Sequence, residues 1–158
     1  LSMGQDGIRT EELARSRASV LHVTPFNSYP SGITASASKR AEYIRWAKER
    51  GGYIIEDDFD SEFTLLSKPE DTLFSLGPEG SVIYMNTFSK TIAPSVRAGY
   101  LVLPRPWVAV YEKKVGFYSC TVPVFDQLVL AEFMNRGHFE RHINRVRRRR
   151  KKREQEER

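Results

Sequence analysis

The stretch TFSKTIAPSVR, residues 87–97, places one lysine, Lys90, among hydroxyl side chains and seven residues before an arginine, Arg97. The four hydroxyls belong to Thr87, Ser89, Thr91 and Ser95. The run VIYMNTF, which starts at Val82 and leads into this stretch, predicts a buried strand. Ligands of open α/β sheets bind beyond the carboxyl ends of the strands. A Ser-Lys pair alone is most often exposed surface, so the interpretation of Lys90 depends on what the fold brings to it.

Patterns on both sides of this stretch predict an alternation of strands and helices. Short apolar runs closed by Pro or acidic residues indicate strands, and apolar residues at three- and four-residue spacing indicate helices. This order is typical of an open sheet built from crossovers, with helices on its faces. The predicted strands are 18–25, 53–59, 82–88 and 99–104; the predicted helices start near Ser36 or Ser38, lie around 71–76, 107–118 and 124–135, and continue from His138.

An acidic strand end supplies a partner for Lys90. The run YIIEDDF, from Tyr53, is apolar at first and then acidic, and Asp57 ends the strand. Because crossover strands end at one rim of the sheet, we expect the Asp57 carboxylate beside Lys90. Such a set matches pyridoxal 5'-phosphate group by group: the lysine forms an imine with its aldehyde, the carboxylate pairs with its pyridine nitrogen, and the hydroxyls and Arg97 hold its phosphate.

Three strings, in this order and spacing, also carry a resemblance to a known family. They are TPFNSYPSG (24–32), IIEDDFDSEF (54–63) and TFSKTIAPSVRAGYLVLP (87–104), and the likeness continues through TVPVFDQLVLAEFMNRGHFERHINRVRRR (121–149). The sequence resembles the aminotransferase-like domain of MocR-type regulators of the GntR superfamily. The resemblance runs from about Gly7 to about Arg150, and three linked motifs at matching separations make it specific.

The resemblance implies a fold and an organisation. The fold is α/β, part of the large domain of a fold type I, pyridoxal-phosphate-dependent aminotransferase, with a mostly parallel sheet, one antiparallel strand at about 99–104 and helices on both faces. Residues 1–136 are then a fragment of this large domain, and residues 137–158 form a basic helix that leads toward a small domain missing from this chain. The family also implies a DNA-binding winged helix outside this chain, an amino-compound effector and a homodimer when the protein is full length.

The resemblance assigns roles to individual positions. Lys90 falls where the family keeps its Schiff-base lysine and Asp57 where it keeps the partner of the pyridine nitrogen. Arg97 matches a phosphate-binding arginine, and Thr87 and Ser89 match hydroxyl positions on the phosphate side. We expect these residues to bind the cofactor, with Lys90 as the catalytic residue of any reaction.

Two further positions in the expected cofactor site depart from the family pattern. Phe59 stands where the family usually has a tyrosine whose hydroxyl reaches the phenolic oxygen of the cofactor, so one donor is missing. Tyr29 occupies the place where aminotransferases have an asparagine before a Pro-Thr-Gly turn. The family's phosphate loop and its carboxylate-gripping arginine are expected upstream and downstream of this chain, so we expect the isolated chain to bind the cofactor weakly or not at all.

Composition narrows the class of protein. The net charge is +5, but residues 145–158 hold nine basic and three acidic side chains, so the other 144 residues carry −1. A run of like charges is usually a solvated helix or tail, although it can also contact nucleic acid. Cys120 is the single cysteine, which excludes an internal disulfide. No apolar stretch approaches the roughly 20 residues that span a bilayer, and we expect a cytoplasmic protein without a membrane partner.

The sequence predicts no metal site. His138 and His142 are four residues apart on a predicted helix, but a third ligand is missing. His22 lies in a predicted buried strand, where a core role is expected. A divalent-cation site could be built from four nearby acidic residues, Asp57, Asp58, Asp60 and Glu62. Adjacent residues of a strand point to opposite faces, however, which argues against their convergence on one cation.

Three functional hypotheses follow. The first is a pyridoxal-phosphate-binding, aminotransferase-like effector domain of a GntR/MocR-family regulator. The second is a fragment of a class I/II aminotransferase, in which Lys90 also moves the substrate's α-proton; the missing tyrosine disfavours it. The third is a basic nucleic-acid-binding module without a cofactor, which leaves Asp57, Lys90 and Arg97 unexplained.

Overall fold

The computed structural model describes residues 1–59, 61–63, 71–77 and 80–156. Strands and helices alternate through the first two thirds of the chain, and three helices complete it. The strands are β1 Val20–Val23, β2 Tyr53–Asp57, β3 Val82–Thr87 and β4 Gly99–Val102. The α-helices are α1 Thr10–Arg15, α2 Ala37–Arg50, α3 Leu73–Leu76, α4 Phe88–Thr91, α5 Arg105–Val115, α6 Val124–Asn135 and α7 His138–Glu156, and a 3-10 turn covers Ser61–Phe63.

The four strands form one sheet in the order β1-β2-β3-β4. β1, β2 and β3 are parallel, and β4 returns antiparallel to β3, with Thr87 opposite Gly99. The mostly parallel α/β sheet with one antiparallel strand is therefore confirmed. β4 is shorter than expected and ends at Val102, because the following Pro104 lacks an N–H for the ladder and precedes α5.

Local signals set the bounds of α2, the crossover helix between β1 and β2. The Ser36 side chain accepts a hydrogen bond from the Lys39 backbone N–H and so caps the first turn. Gly51 ends the helix in the left-handed region, at φ 58°. The buried face of α2, with Tyr43, Trp46 and Ala47, packs on the sheet to form the main core. The core also contains Ile8, Leu13, Leu21, Val23, Ala35, Ile54, Leu73 and Val82.

Alternation along β2 divides its side chains between two faces. Ile54 and Glu56 are fully buried on the α2 side. Glu56 accepts hydrogen bonds from the backbone N–H groups of Leu73 and Phe74, at 2.8 and 2.9 Å, and thus satisfies the start of α3. Burial raises the pKa of the Glu56 carboxyl, while these two N–H donors oppose that effect. One acidic residue of the EDD run is therefore a structural cap.

A helix also lies on the other face of the sheet, as expected. Trp107 of α5 packs edge-on against Tyr53, which points away from the α2 side, with ring centroids 4.9 Å apart. The Trp107 indole N–H donates to the Gly80 carbonyl at 3.0 Å. α5 begins two residues earlier and ends three residues earlier than the expected 107–118, whereas α6 has the expected bounds. None of the helices in the described ranges has the length and hydropathy that crossing a membrane requires.

Candidate functional site at the strand rim

The Lys90 turn is built by the end of β3. Thr87 is the N-cap of the four-residue helix α4, and its hydroxyl accepts from the Ser89 N–H at 3.2 Å. The same hydroxyl donates to the Ala98 carbonyl at 3.2 Å, which ties the start of the turn to β4. Lys90 is the third residue of α4, and its side chain is exposed. The sequence prediction that Lys90 lies beyond the carboxyl end of a strand is confirmed in position.

Asp57 stands at the same rim, at the carboxyl end of β2 and in register with Met85 of β3. Its side chain is 26% exposed, so it is accessible to a ligand. The Nε2 atom of His22, on β1, lies 3.4 Å from a carboxylate oxygen of Asp57. The expectation that His22 is a core residue is wrong: its side chain is 60% exposed because, by alternation, Leu21 and Val23 take the buried face.

Phe59 lies below the Lys90 amine. The Lys90 Nζ atom is 4.4 Å from the centroid of the Phe59 ring, within the range of a cation–π contact. Phe59 and Asp57 both line a cavity of about 640 Å³ on the α5 side of the sheet. The cavity connects the two predicted site strands and reaches α5; its other lining residues are Met85, Asn86, Thr87, Gly99, Tyr100, Leu101, Leu103 and Tyr111.

Arg97 closes the other side of the turn. Its guanidinium donates to the Ser89 hydroxyl at 3.1 Å, and that hydroxyl donates to the Val96 carbonyl at 2.7 Å. The hydroxyl protons of Thr87 and Ser89 are thus directed to backbone carbonyls, while Arg97 is exposed and keeps further donors. A phosphate bound at the Lys90 turn could accept hydrogen bonds from the remaining donors of Arg97. To donate to the phosphate as well, the hydroxyls of Thr87 and Ser89 would have to give up their hydrogen bonds to the backbone carbonyls.

Tyr29 stands apart from this group. It precedes Pro30 in the loop after β1, its side chain is 86% exposed, and it is not among the residues that line the cavity. The turn that contains it is closed by an antiparallel bridge between Ser28 and Ile33. Its assignment to the cofactor site stays a prediction.

A buried polar network behind the rim was not expected. Asp58 accepts from the Ser61 hydroxyl at 2.7 Å and from the Tyr84 hydroxyl at 2.8 Å. The Asn86 amide donates to Tyr84 and to Glu62, at 3.0 and 2.8 Å. Burial is the main cause that raises the pKa of both carboxyls, Asp58 and Glu62. The EDD run alone could have indicated that an alternating strand buries part of its acids.

The acidic residues therefore do not form one cluster. Asp57 lines the cavity, whereas Asp58 and Glu62 accept hydrogen bonds within the buried network. Asp60, the fourth residue considered for a cation, lies outside the described residues. His142 uses its Nε2 atom to contact the Thr91 carbonyl at 2.9 Å, and His138 contacts Arg141.

Known proteins resemble this chain in sequence. The family model "Aminotransferase class I and II" matches residues 7–157. The uncharacterized HTH-type transcriptional regulator YdeL of Bacillus subtilis is 36% identical over 93% of this chain and 32% of its own length. The probable rhizopine catabolism regulatory protein MocR of Rhizobium meliloti is 31% identical over 94% of this chain and 30% of its own length. The chain thus spans about a third of the curated relatives it matches.

Solved structures agree with the fold. The kynurenine aminotransferase of Pyrococcus horikoshii, solved with PMP, superposes with a TM-score of 0.83 at 27% identity, over 92% of this chain and 38% of its own. LysN, the α-aminoadipate aminotransferase of Thermus thermophilus, gives 0.77 at 28% identity, over 92% and 39%. It was solved with N-(5'-phosphopyridoxyl)-L-leucine. The chain therefore belongs to the aminotransferase class I and II family, and it matches the aminotransferase-like region of MocR-type HTH regulators.

Proposed function

We propose that this chain is the cofactor-binding part of an aminotransferase-like effector domain, and that pyridoxal 5'-phosphate binds at the rim formed by Asp57, Lys90 and Arg97. The observation that carries this proposal is the presence of an accessible carboxylate, an exposed lysine and an exposed arginine around one strand rim, beside an open cavity. Membership of the aminotransferase class I and II family implies this cofactor.

The donor set fits the cofactor in charge and chemistry. When bound, pyridoxal phosphate supplies an aldehyde that captures amines and a ring that withdraws electrons. Asp57 would accept a hydrogen bond from the protonated pyridine nitrogen and keep that nitrogen charged, because a carboxylate favours a neighbouring cation. Arg97 would hold the phosphate, and Lys90 would supply the amine that retains the cofactor. Phe59 offers an apolar surface without a hydroxyl at the edge of the same cavity.

The proposal extends to the whole protein. The curated relatives named here are transcriptional regulators, so we propose that the protein binds DNA through a domain outside this chain and acts in the cytoplasm. An amino compound would be its effector, since the cofactor captures amines. Residues 1–136 would belong to the large domain and residues 137–158 would lead toward a smaller one. From the family resemblance we also propose a homodimer when the protein is full length.

The test is the visible absorption of the bound cofactor, measured on the full-length protein and not on the isolated chain. After reconstitution with pyridoxal phosphate, wild type is expected to develop a lysine-dependent visible band and Lys90→Ala to lack it. Lys113→Ala, an exposed lysine on α5, is the matched control and should keep the band. A band that survives in Lys90→Ala would show that the cofactor is bound through another lysine and not at this rim.

A fragment of a working aminotransferase is the second candidate. The retained Lys90 and Asp57 and the superposition on kynurenine aminotransferase favour it; the absent hydroxyl at Phe59 disfavours it. Transamination of an amino acid by the encoded protein, seen as a lasting loss of the visible band and release of the keto acid, would support the enzyme. A reversible spectral change with altered DNA affinity would support the regulator.

A nucleic-acid-binding module is the third candidate, and the exposed basic side chains of α7 favour it. Binding that falls steeply with salt and is lost when the basic residues of 147–153 are neutralised would support it. It does not account for the set of groups at the Lys90 rim.

A further inference from the structure

The turn that carries Lys90 is held from behind by α7. The Nε2 atom of His142 lies 2.9 Å from the backbone carbonyl of Thr91, the residue after Lys90. Because a carbonyl only accepts, His142 must carry its proton on Nε2 and donate it. This donor is present in the Nε2–H tautomer of the neutral ring and in the charged ring alike.

This carbonyl is one that a helix end leaves without a partner. α4 has only four residues, Phe88–Thr91, and its last carbonyls cannot be satisfied within the helix. Thr91 itself is buried, so water has little access to replace a lost donor. A side-chain donor near a helix C-terminus satisfies such a carbonyl, and here a residue 51 positions away in the sequence supplies it.

A second contact from α7 reaches the start of the same turn. The Arg147 guanidinium donates to the backbone carbonyl of Glu62. The Glu62 carboxylate accepts from the side-chain N–H of Asn86 at 2.8 Å, and the side-chain oxygen Oδ1 of Asn86 accepts from the Thr87 backbone N–H at 2.6 Å. α7 is therefore linked to Thr87 through two side chains and to Thr91 directly, on either side of Lys90.

Packing fixes the position of the His142 ring. Ile143, next to it, is buried, and Phe139, one turn before it, meets Phe88 of α4 edge-on at 6.1 Å. Phe133 of α6 approaches the His142 ring at 6.4 Å. The ring is thus held against the Lys90 turn by neighbours from two helices.

We propose that His142 is a positioning residue for Lys90, which it serves by capping the Thr91 carbonyl. The proposal rests on the proposed function, in which Lys90 is the residue that retains pyridoxal phosphate. Without the cap, α4 loses the donor that closes its last turn, the Lys90 backbone samples more conformations, and the amine is presented to the cofactor less often. The position of α7 thereby affects the order of the Lys90 turn.

The experiment uses the full-length protein and three of its variants. His142→Phe removes the donor and keeps an aromatic ring, whereas His142→Gln keeps an N–H at a similar reach. His138→Gln is the matched control, since His138 lies on the same helix and stacks on Phe133 but directs its ring nitrogen to Arg141 and not to the Lys90 turn. The Kd for pyridoxal phosphate is measured from the visible band, and hydrogen exchange of the 88–92 amides is measured without cofactor.

In His142→Phe the Kd is expected to rise about fivefold and the exchange of the 88–92 amides to accelerate by a similar factor, because one buried hydrogen bond is lost. His142→Gln should restore both to within about twofold of wild type, and His138→Gln should change neither. Equal values in wild type and His142→Phe, or equal losses in His142→Gln and His142→Phe, would overturn the proposal. If wild type develops no visible band, the proposed function fails, while the exchange measurement still decides whether His142 orders the turn.

Discussion

Replacing Glu56 by alanine tests the division of labour within the EDD run. Glu56 is fully buried and its two carboxylate oxygens accept the N–H groups of Leu73 and Phe74. Glu56→Ala leaves both donors at the start of α3 without an acceptor, next to a core residue, Leu73, that is itself fully buried. We expect a protein that retains the rim but is substantially less stable.

The size of the loss follows from these contacts. A hydrogen bond to a charged group contributes about 1.5–3 kcal/mol, so two such bonds represent about 3–6 kcal/mol. Part of this is offset because alanine ends the unfavourable burial of a carboxylate, which is the cause that raises the pKa of Glu56. We therefore expect a net decrease of about 3 kcal/mol in the free energy of unfolding, a large share of the roughly 5–15 kcal/mol of a typical domain.

Urea unfolding followed by far-UV circular dichroism measures this difference. With a slope of about 2 kcal/mol per molar, a loss of about 3 kcal/mol lowers the midpoint by about 1.5 M. Glu56→Gln, which keeps one acceptor oxygen, should fall between wild type and Glu56→Ala. Glu49→Ala, an exposed position on α2, is the control and should change stability by no more than about 0.5 kcal/mol. A Glu56→Ala loss as small as that of the control would refute the capping role.

Three other predictions concern the rim and the packing. Phe59→Tyr in the reconstituted protein should lower the pKa of the cofactor's visible chromophore by about one unit, because a hydroxyl that donates to the cofactor's oxyanion contributes about 1.5 kcal/mol; a pH titration of the absorption checks this, and an unchanged pKa would speak against a cofactor beside Phe59. Burial raises the folded-state pKa of the Asp58 carboxyl, so the burial of this carboxyl costs no stability at pH values below its ordinary pKa, and the cost grows as the pH rises from there through the raised pKa. Relative to wild type, Asp58→Asn should therefore gain stability with rising pH in unfolding curves taken across this range, and a stability difference that does not change with pH would contradict the burial of an ionisable group here. Gly77→Ala should cost about 1–3 kcal/mol in thermal unfolding, since the added Cβ would lie 2.6 Å from a methyl group of Val82; a neutral result would mean that α3 shifts freely.

Local patterns were sufficient to predict most of the fold. The start of α2 was predictable to Ser36 or Ser38 because capping depends on neighbouring residues only, and the structure has Ser36 as the cap. The strand before Lys90 and the acidic end of β2 were predictable for the same reason. What these patterns could not predict is where β4 ends or which side chains lie beside the rim, since both depend on contacts across the sheet.

The sequence by itself therefore determined that Asp57 ends one strand and that Lys90 follows another, because strand ends are encoded in local patterns, and the rule for crossover sheets predicted that both lie at one rim. Only the tertiary structure decided what surrounds them. Strand register places His22 beside Asp57 and turns Glu56 and Asp58 inward, since a single step along a strand reverses the face of a side chain. Helix packing decides that His142 reaches the Thr91 carbonyl behind Lys90, a contact between distant positions that no local pattern encodes.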